Sequence, residues 1–166
     1  MGGGARPVTD GRGEVSAIPE GVEVRAAIEH DLTAIHAIEC ASFGDPWALE
    51  GFRDLLDHPR AKMEVAVSAE GELMGYAVAW YVADESEIAN IAVAPTARRK
   101  GVGALLLDRI LRAAAEFGAQ TVFLEVRESN EEARKLYEAR GFEVAGKRTK
   151  YYRKPDEDAL IMRRKL

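Results

Sequence analysis

SEIANIAVAPTARRKGVGALLLDRILRAAAEFG, residues 86–118 of a 166-residue chain, passes from one periodicity to another across a basic turn. The first ten residues read as a β-strand that stops at Pro95. After the proline an amphipathic helix of about four turns follows, with Val102, Leu106, Ile110, Ala113 and Phe117 on one face and Asp108, Arg109, Arg112 and Glu116 toward water. Gly118 ends it. A strand end, a basic turn and two glycines at a helix start make an anion cradle. The free N–H groups of the first helical turn point outward, Gly101 and Gly103 admit a phosphate close to the backbone, and Arg98, Arg99 and Lys100 charge the rim. RRKGVG has neither Walker nor Rossmann spacing, and taken alone it reads more readily as a solvated turn than as an anion site.

The flanking segments define the fold class. VEVRAAI (22–28) is predicted to be a first strand, followed by a helix capped by Asp31 with Leu32, Ile35 and Ile38 on its inner face. The lone Cys40 falls within that apolar pattern and is expected in the core. A second short helix is expected between Pro46 and Pro59, turning Phe52, Leu55 and Leu56 inward. MEVAVSA, ELMGYAVAWYVA and SEIANIAVAP read as a three-stranded antiparallel meander. After the long helix come the strand TVFLEV, a helix with capping-box spacing at Ser129 and Glu132 that stops at Gly141, and two closing strands, FEVAGKRTKYY and DALIMRRKL. This order predicts an α+β domain over residues 21–166, with a mixed, mostly antiparallel sheet and helices on both faces. Residues 1–20 are expected to be a flexible tail.

Composition excludes several functions. A formal charge of −5 argues against a general nucleic-acid binder and confines any anion site to a local patch. One cysteine permits no internal disulfide, and three scattered histidines lack metal-ligand spacing. No apolar run is long enough to span a bilayer, and the start has no hydrophobic signal-peptide core, so a cytoplasmic protein without membrane or metal partners is expected.

In TVFLEV, Val122, Leu124 and Val126 share one sheet face while Thr121, Phe123 and Glu125 share the other. A carboxylate there is either a general base raised by desolvation or one half of an ion pair, with Arg127 or Arg134 as candidate partners. Asn130 and Tyr137, two helical turns apart, lie about 10 Å from each other on roughly one face of the next helix.

These parts together resemble a known family. ANIAVAPTARRKGVGALLL, the strand after it and the N-x-x-A-x-x-L-Y-x-x-x-G-F pattern resemble the GNAT superfamily of acetyl-CoA-dependent N-acetyltransferases. NIAV, LEVRESN, LYEARGF, KYY and EDALIM are similar to its RimI type, the ribosomal-protein-alanine N-acetyltransferases, over roughly residues 22–164. The resemblance implies the GNAT fold and acetyl-CoA as cosubstrate. It implies that the backbone of Ile91, Ala92 and Val93 pairs with the pantetheine arm, and that Arg99, Lys100, Gly101, Val102, Gly103 and Ala104 hold the pyrophosphate beside Arg98. It further implies that Asn130 contacts pantetheine, Glu125 accepts a proton, Tyr137 donates one to the departing thiolate, and Tyr151 and Tyr152 line the acceptor approach. The implied acceptor is the N-terminal α-amine of a protein, a ribosomal one through the RimI-type likeness. A lysine or small-molecule amine acetyltransferase, or a non-catalytic acyl-CoA sensor, would use the same cofactor site. FGDPW (43–47) departs from the family's F-P-W by Gly44 and Asp45, which leaves peptide selectivity open.

Overall fold

A computed structural model describes residues 8–9, 15–16 and 19–166. Within them, β1 (Val8–Thr9) and β2 (Val15–Ser16) pair antiparallel, and the rest of the expected tail up to residue 18 lies outside the described residues. β3 (Glu23–Ala26) leads through a 3-10 turn at Glu29–Asp31 into α1 (Leu32–Ser42), and α2 (Leu49–Leu56) follows. The meander is β4 (Ala61–Val67), β5 (Leu73–Val82) and β6 (Glu85–Val93). Beyond the basic turn come α3 (Val102–Phe117), β7 (Thr121–Arg127), α4 (Glu131–Ala139), β8 (Glu143–Tyr152) and β9 (Glu157–Lys165).

Seven strands form one sheet in the order β3-β4-β5-β6-β7-β9-β8, antiparallel throughout except at β6–β7. The expected mixed sheet is therefore present, with helices on both faces. One face packs α3 and α4 through Leu106, Leu107, Ile110, Leu124, Met162 and Tyr137. The other packs α1 and α2 through Ile35, Phe52, Tyr76 and Val78. Cover on both sides explains why β5 is buried almost continuously rather than alternately. Its small residues Ala77 and Ala79 face α3 and let that helix lie close. At Gly75 the approach is closest: a Cβ there would stand 2.8 Å from the Ala92 carbonyl oxygen and 3.0 Å from Leu106 Cδ1.

Several local expectations are corrected by tertiary partners. Asp31 makes no forward cap to α1; its carboxylate accepts from the Ile28 N–H behind it and from both Arg25 guanidinium nitrogens, at 2.7 and 2.9 Å, tying β3 to the helix start. Burial costs this carboxyl less than the Arg25 hydrogen bonds return, so its pKa lies below the ordinary aspartate value. Phe117, expected inside, is 54% exposed beside Tyr81. Asp108, expected in water, is half-buried and pairs with Arg140 at 3.2 Å, linking α3 to the end of α4. Cys40 is not a core residue: it is exposed on the outer face of α1 with His36, because Ile35, Ile38 and Glu39 take the inner face. The α4 cap is Asn130 rather than Ser129, since Asn130 Oδ1 accepts from the Ala133 N–H at 3.1 Å. Gly118 and Gly141 end α3 and the α4 turn with φ of 99° and 83°, where glycine avoids the Cβ clash.

Gly75→Ala forces a methyl into backbone and Leu106, so the urea midpoint should fall by the equivalent of about 1–3 kcal/mol. Gly103→Ala adds a Cβ 3.6 Å from Leu136 and Val93, an ordinary contact. It should leave stability within about 0.5 kcal/mol.

Candidate active site

The site begins with a fault in the sheet. Asn90 pairs with Val78 and Ile88 pairs with Ala79, so Ala89 is an extra residue in β6, a β-bulge. Parallel pairing of β6 with β7 ends at the same level, at Ile88 and Leu124. Past that point the strands part, and a cleft of about 1260 Å³ opens between Asn90–Val93 on one side and Glu125–Arg127 on the other. This exceeds the roughly 300–1,000 Å³ of an ordinary small-ligand pocket and suits a long ligand.

Backbone polarity along the split edge follows from the ladder. The Ala94 N–H donates to the Met74 carbonyl at 2.8 Å, in register with Ala92 opposite Tyr76. By antiparallel alternation Ala92 also faces β5, whereas the peptide groups of Ile91 and Val93 turn toward the cleft. The Val93 carbonyl accepts from Arg98 Nε at 3.3 Å, which ties the basic turn to the strand end. Arg99 (φ 63°) and Gly101 (φ 80°) hold left-handed conformations that bend the chain into α3. The first intrahelical bond runs from the Leu105 N–H to the Gly101 carbonyl, so the N–H groups of residues 102–104 are free of helical partners. No acidic side chain stands in that first turn. Arg98, Arg99, Gly101, Val102, Gly103 and Ala104 all line the cleft, and Lys100 is exposed outside the lining.

Across the split, Glu125, Asn130, Tyr137, Tyr151 and Tyr152 line the same cleft. Tyr137 is 6% exposed, packed edge-on to Phe142, and burial pushes its hydroxyl pKa up to about 12, so it remains protonated at neutral pH. Glu125 is 15% exposed and forms an ion pair with Arg148 at 2.9 Å. Neither Arg127 nor Arg134 is its partner: Arg127 pairs with Glu157, and Arg134 donates to the Glu128 carbonyl. Arg148 and Tyr151 of β8 lie against Glu125. The Tyr151 hydroxyl is raised first by its hydrogen bond to Glu125 and then by burial. Burial chiefly, with Glu125 second, raises Tyr152, over whose ring the Arg127 guanidinium lies at 4.5 Å.

Glu39 is the cleft residue that sequence reasoning missed. It is 1% exposed and accepts from the Tyr76 hydroxyl, from Asn90 Nδ2 at 2.8 Å and from the Trp47 N–H at 3.0 Å. One carboxylate thereby joins the bulged strand, the meander and the α1–α2 loop. Its signal was an acid at i+7 from Leu32 and i+4 from Ile35, on the stripe that faces the core. The loop it anchors explains the unusual FGDPW. A Cβ on Gly44 would collide with the Lys154 carbonyl, so the α1–α2 and β8–β9 loops meet backbone to backbone at the rim of the cleft, which Asp45 and Arg153 help line. Arg127 fixes the opposite loop by donating to the Arg153 and Pro155 carbonyls, each at 2.8 Å.

Comparison with known proteins shows the family to which this fold belongs. The acetyltransferase (GNAT) family model matches residues 32–142, and the chain belongs to that family. The [ribosomal protein bS18]-alanine N-acetyltransferase of Escherichia coli K12 is 35% identical over 134 residues, 80% of this chain and 89% of the relative. That of Haemophilus influenzae is 34% identical over 135 residues, with 80% and 90% covered. The crystal structure of the ribosomal-protein-S18-alanine N-acetyltransferase from Escherichia coli superposes with a TM-score of 0.81 at 32% identity, covering 87% of this chain and 94% of that one. Ard1 from Thermoplasma volcanium gives 0.81 at 27% identity, covering 88% and 98%.

Glu39→Gln replaces an acceptor with an amide that cannot satisfy all three donors. It should cost about 1–3 kcal/mol in chemical unfolding, the usual penalty for a buried unsatisfied polar group. Tyr76→Phe, which removes one donor and keeps the carboxylate paired, should cost less.

Proposed function

We propose that this protein transfers the acetyl group of acetyl-CoA to the N-terminal α-amine of a protein, with a ribosomal protein as acceptor. The carrying observation is the split between β6 and β7, which sets a buried tyrosine and a carboxylate opposite free strand peptide groups, beside a basic helix start. The bS18-alanine activity named for the relatives supports the choice of acceptor. A cytoplasmic setting belongs to the same reading.

The residues fit acetyl-CoA in chemistry. The N–H groups of Val102, Gly103 and Ala104, with Arg98 and Arg99, would hold its pyrophosphate. The outward peptide groups of Ile91 and Val93 would pair with the amides of its pantetheine arm, with the Asn130 amide nitrogen as a further donor. Bound there, it supplies an activated acetyl thioester.

An α-amine has an ordinary pKa near 8 and is mostly ammonium at pH 7. Glu125 takes that proton, directly or through a water. The freed amine nitrogen attacks the thioester carbon, the N–C bond forms and the C–S bond breaks. Tyr137 donates to the departing sulfur, and the proton lost by the new amide nitrogen restores the balance. The products are the acetylated terminus, the thiol and one proton. Tyr151 and Tyr152, with the Gly44–Lys154 contact, bound the acceptor approach.

Peptides with free and blocked N termini, each carrying an internal lysine, test the acceptor: acetylation should require the free terminus. Modification confined to blocked peptides would replace this reading with lysine acetylation. Glu125→Gln and Tyr137→Phe should each lower kcat about 10²- to 10⁴-fold with folding intact. Full turnover in both would remove the assigned acid and base.

A further inference from the structure

We propose that Arg148 is a positioning residue that occupies Glu125 while no acceptor is bound and yields the carboxylate to the incoming ammonium group. The proposal rests on Glu125 being the proton acceptor. Arg148 Nε lies 2.9 Å from Glu125 Oε1, and the two side chains differ sharply in exposure, 56% against 15%. The arginine stands on β8, the outer strand of the sheet, so its guanidinium can leave for water at little cost. The carboxylate cannot follow.

Space for that movement is present. A groove of about 290 Å³ adjoins the main cleft, lined by Trp80, Glu87, Phe123, Glu125, Arg148 and Ile161. The Arg148 guanidinium also lies 5.4 Å from the Tyr151 ring centroid, and the Tyr151 hydroxyl shares Glu125, so the released arginine keeps a second resting contact.

The charges around Glu125 require such a cation. Glu87 faces it from β6; Arg148, Tyr151 and Tyr152 face it from β8; β9 presents the apolar Ile161 opposite it. Burial raises Glu87, nearby Glu125 raises it further, and Arg148 opposes both. Two neighbouring negative charges disfavour each other without a cation between them. Arg148 offsets that repulsion in the free protein, and the acceptor ammonium replaces it charge for charge on binding. A cation that never left would hold the site Glu125 needs for the amine.

The test is the pH profile of kcat/KM for a free-N-terminus peptide, measured at saturating acetyl-CoA. In Arg148→Gln the acid limb should move to higher pH by about half a unit, as expected for a partly exposed ion pair worth well under one pKa unit. Arg148→Lys should restore the wild-type limb, and KM for acetyl-CoA should be unchanged in both variants. Above the limb, KM for the peptide in Arg148→Gln should fall severalfold, since no resident cation competes. An acid limb identical in wild type and a folded Arg148→Gln, or a lysine variant that behaves like glutamine, overturns the proposal. Glu125→Gln in the same series separates the two readings: if it is inactive while Arg148→Gln titrates as wild type, only the arginine's role fails. If Glu125→Gln is fully active, the assignment of the base fails with it.

Discussion

Everything in the site depends on β6 being unable to follow both of its neighbours past Ile88. The extra residue at Ala89 keeps β6 on β5 but turns it off β7, and unpaired strand edges are costly unless something meets their N–H and C=O groups. Glu39 secures the fault by gripping Asn90, immediately after the bulge, together with Tyr76. Burial first, and that hydrogen bond second, raise the Tyr76 hydroxyl far above its ordinary value, so it stays a donor to the carboxylate. The peptide edge that results is the feature a pantetheine arm, itself a chain of amides, can complete.

Charge is distributed to match. The chain as a whole is acidic, so an anion can be held only where the field is local. The start of α3 provides this, with unpaired N–H groups, the positive end of a 16-residue helix and no carboxylate in its first turn. Across the split the sign reverses: Glu87 and Glu125 line the cleft. In the proposed reading the two halves of the cleft meet ligands of opposite charge, and the strand split keeps them on separate walls.

The fold was legible because its elements are strongly periodic and locally consistent. The α3 stripe, the β7 alternation and the meander each carry their own signal, and glycine marks the ends of α3 and α4. What failed shared one cause. Phe117 lies on the predicted inner face, but it falls at the last turn of α3, where its ring meets Tyr81 and is otherwise half exposed. Cys40 and Glu39 are adjacent, and composition favours burying the thiol; the acid is inside because donors from residues 47, 76 and 90 converge on it. Ser129 loses the cap to Asn130 because Glu157 of β9 takes the Ser129 N–H at 2.6 Å. Glu125 reads from sequence as either a base or half of an ion pair; an ion pair is present, but its partner on β8 depends on β9 lying between β7 and β8, which no local pattern reveals.

The same packing favours direct transfer, the proposed route, over a covalent relay. A relay needs a nucleophile in the cleft with a base within hydrogen-bond reach. Cys40 is on the wrong face of α1 and is not among the cleft residues. Ser42, the last residue of α1, does line the cleft, but its buried hydroxyl has no hydrogen-bond partner and hence no base to activate it. Glu125, the proton acceptor of the proposed mechanism, has Arg148 as its ion-pair partner instead. With no serine or cysteine among the described residues paired to that carboxylate, the proposed reading keeps the acceptor nitrogen as the nucleophile.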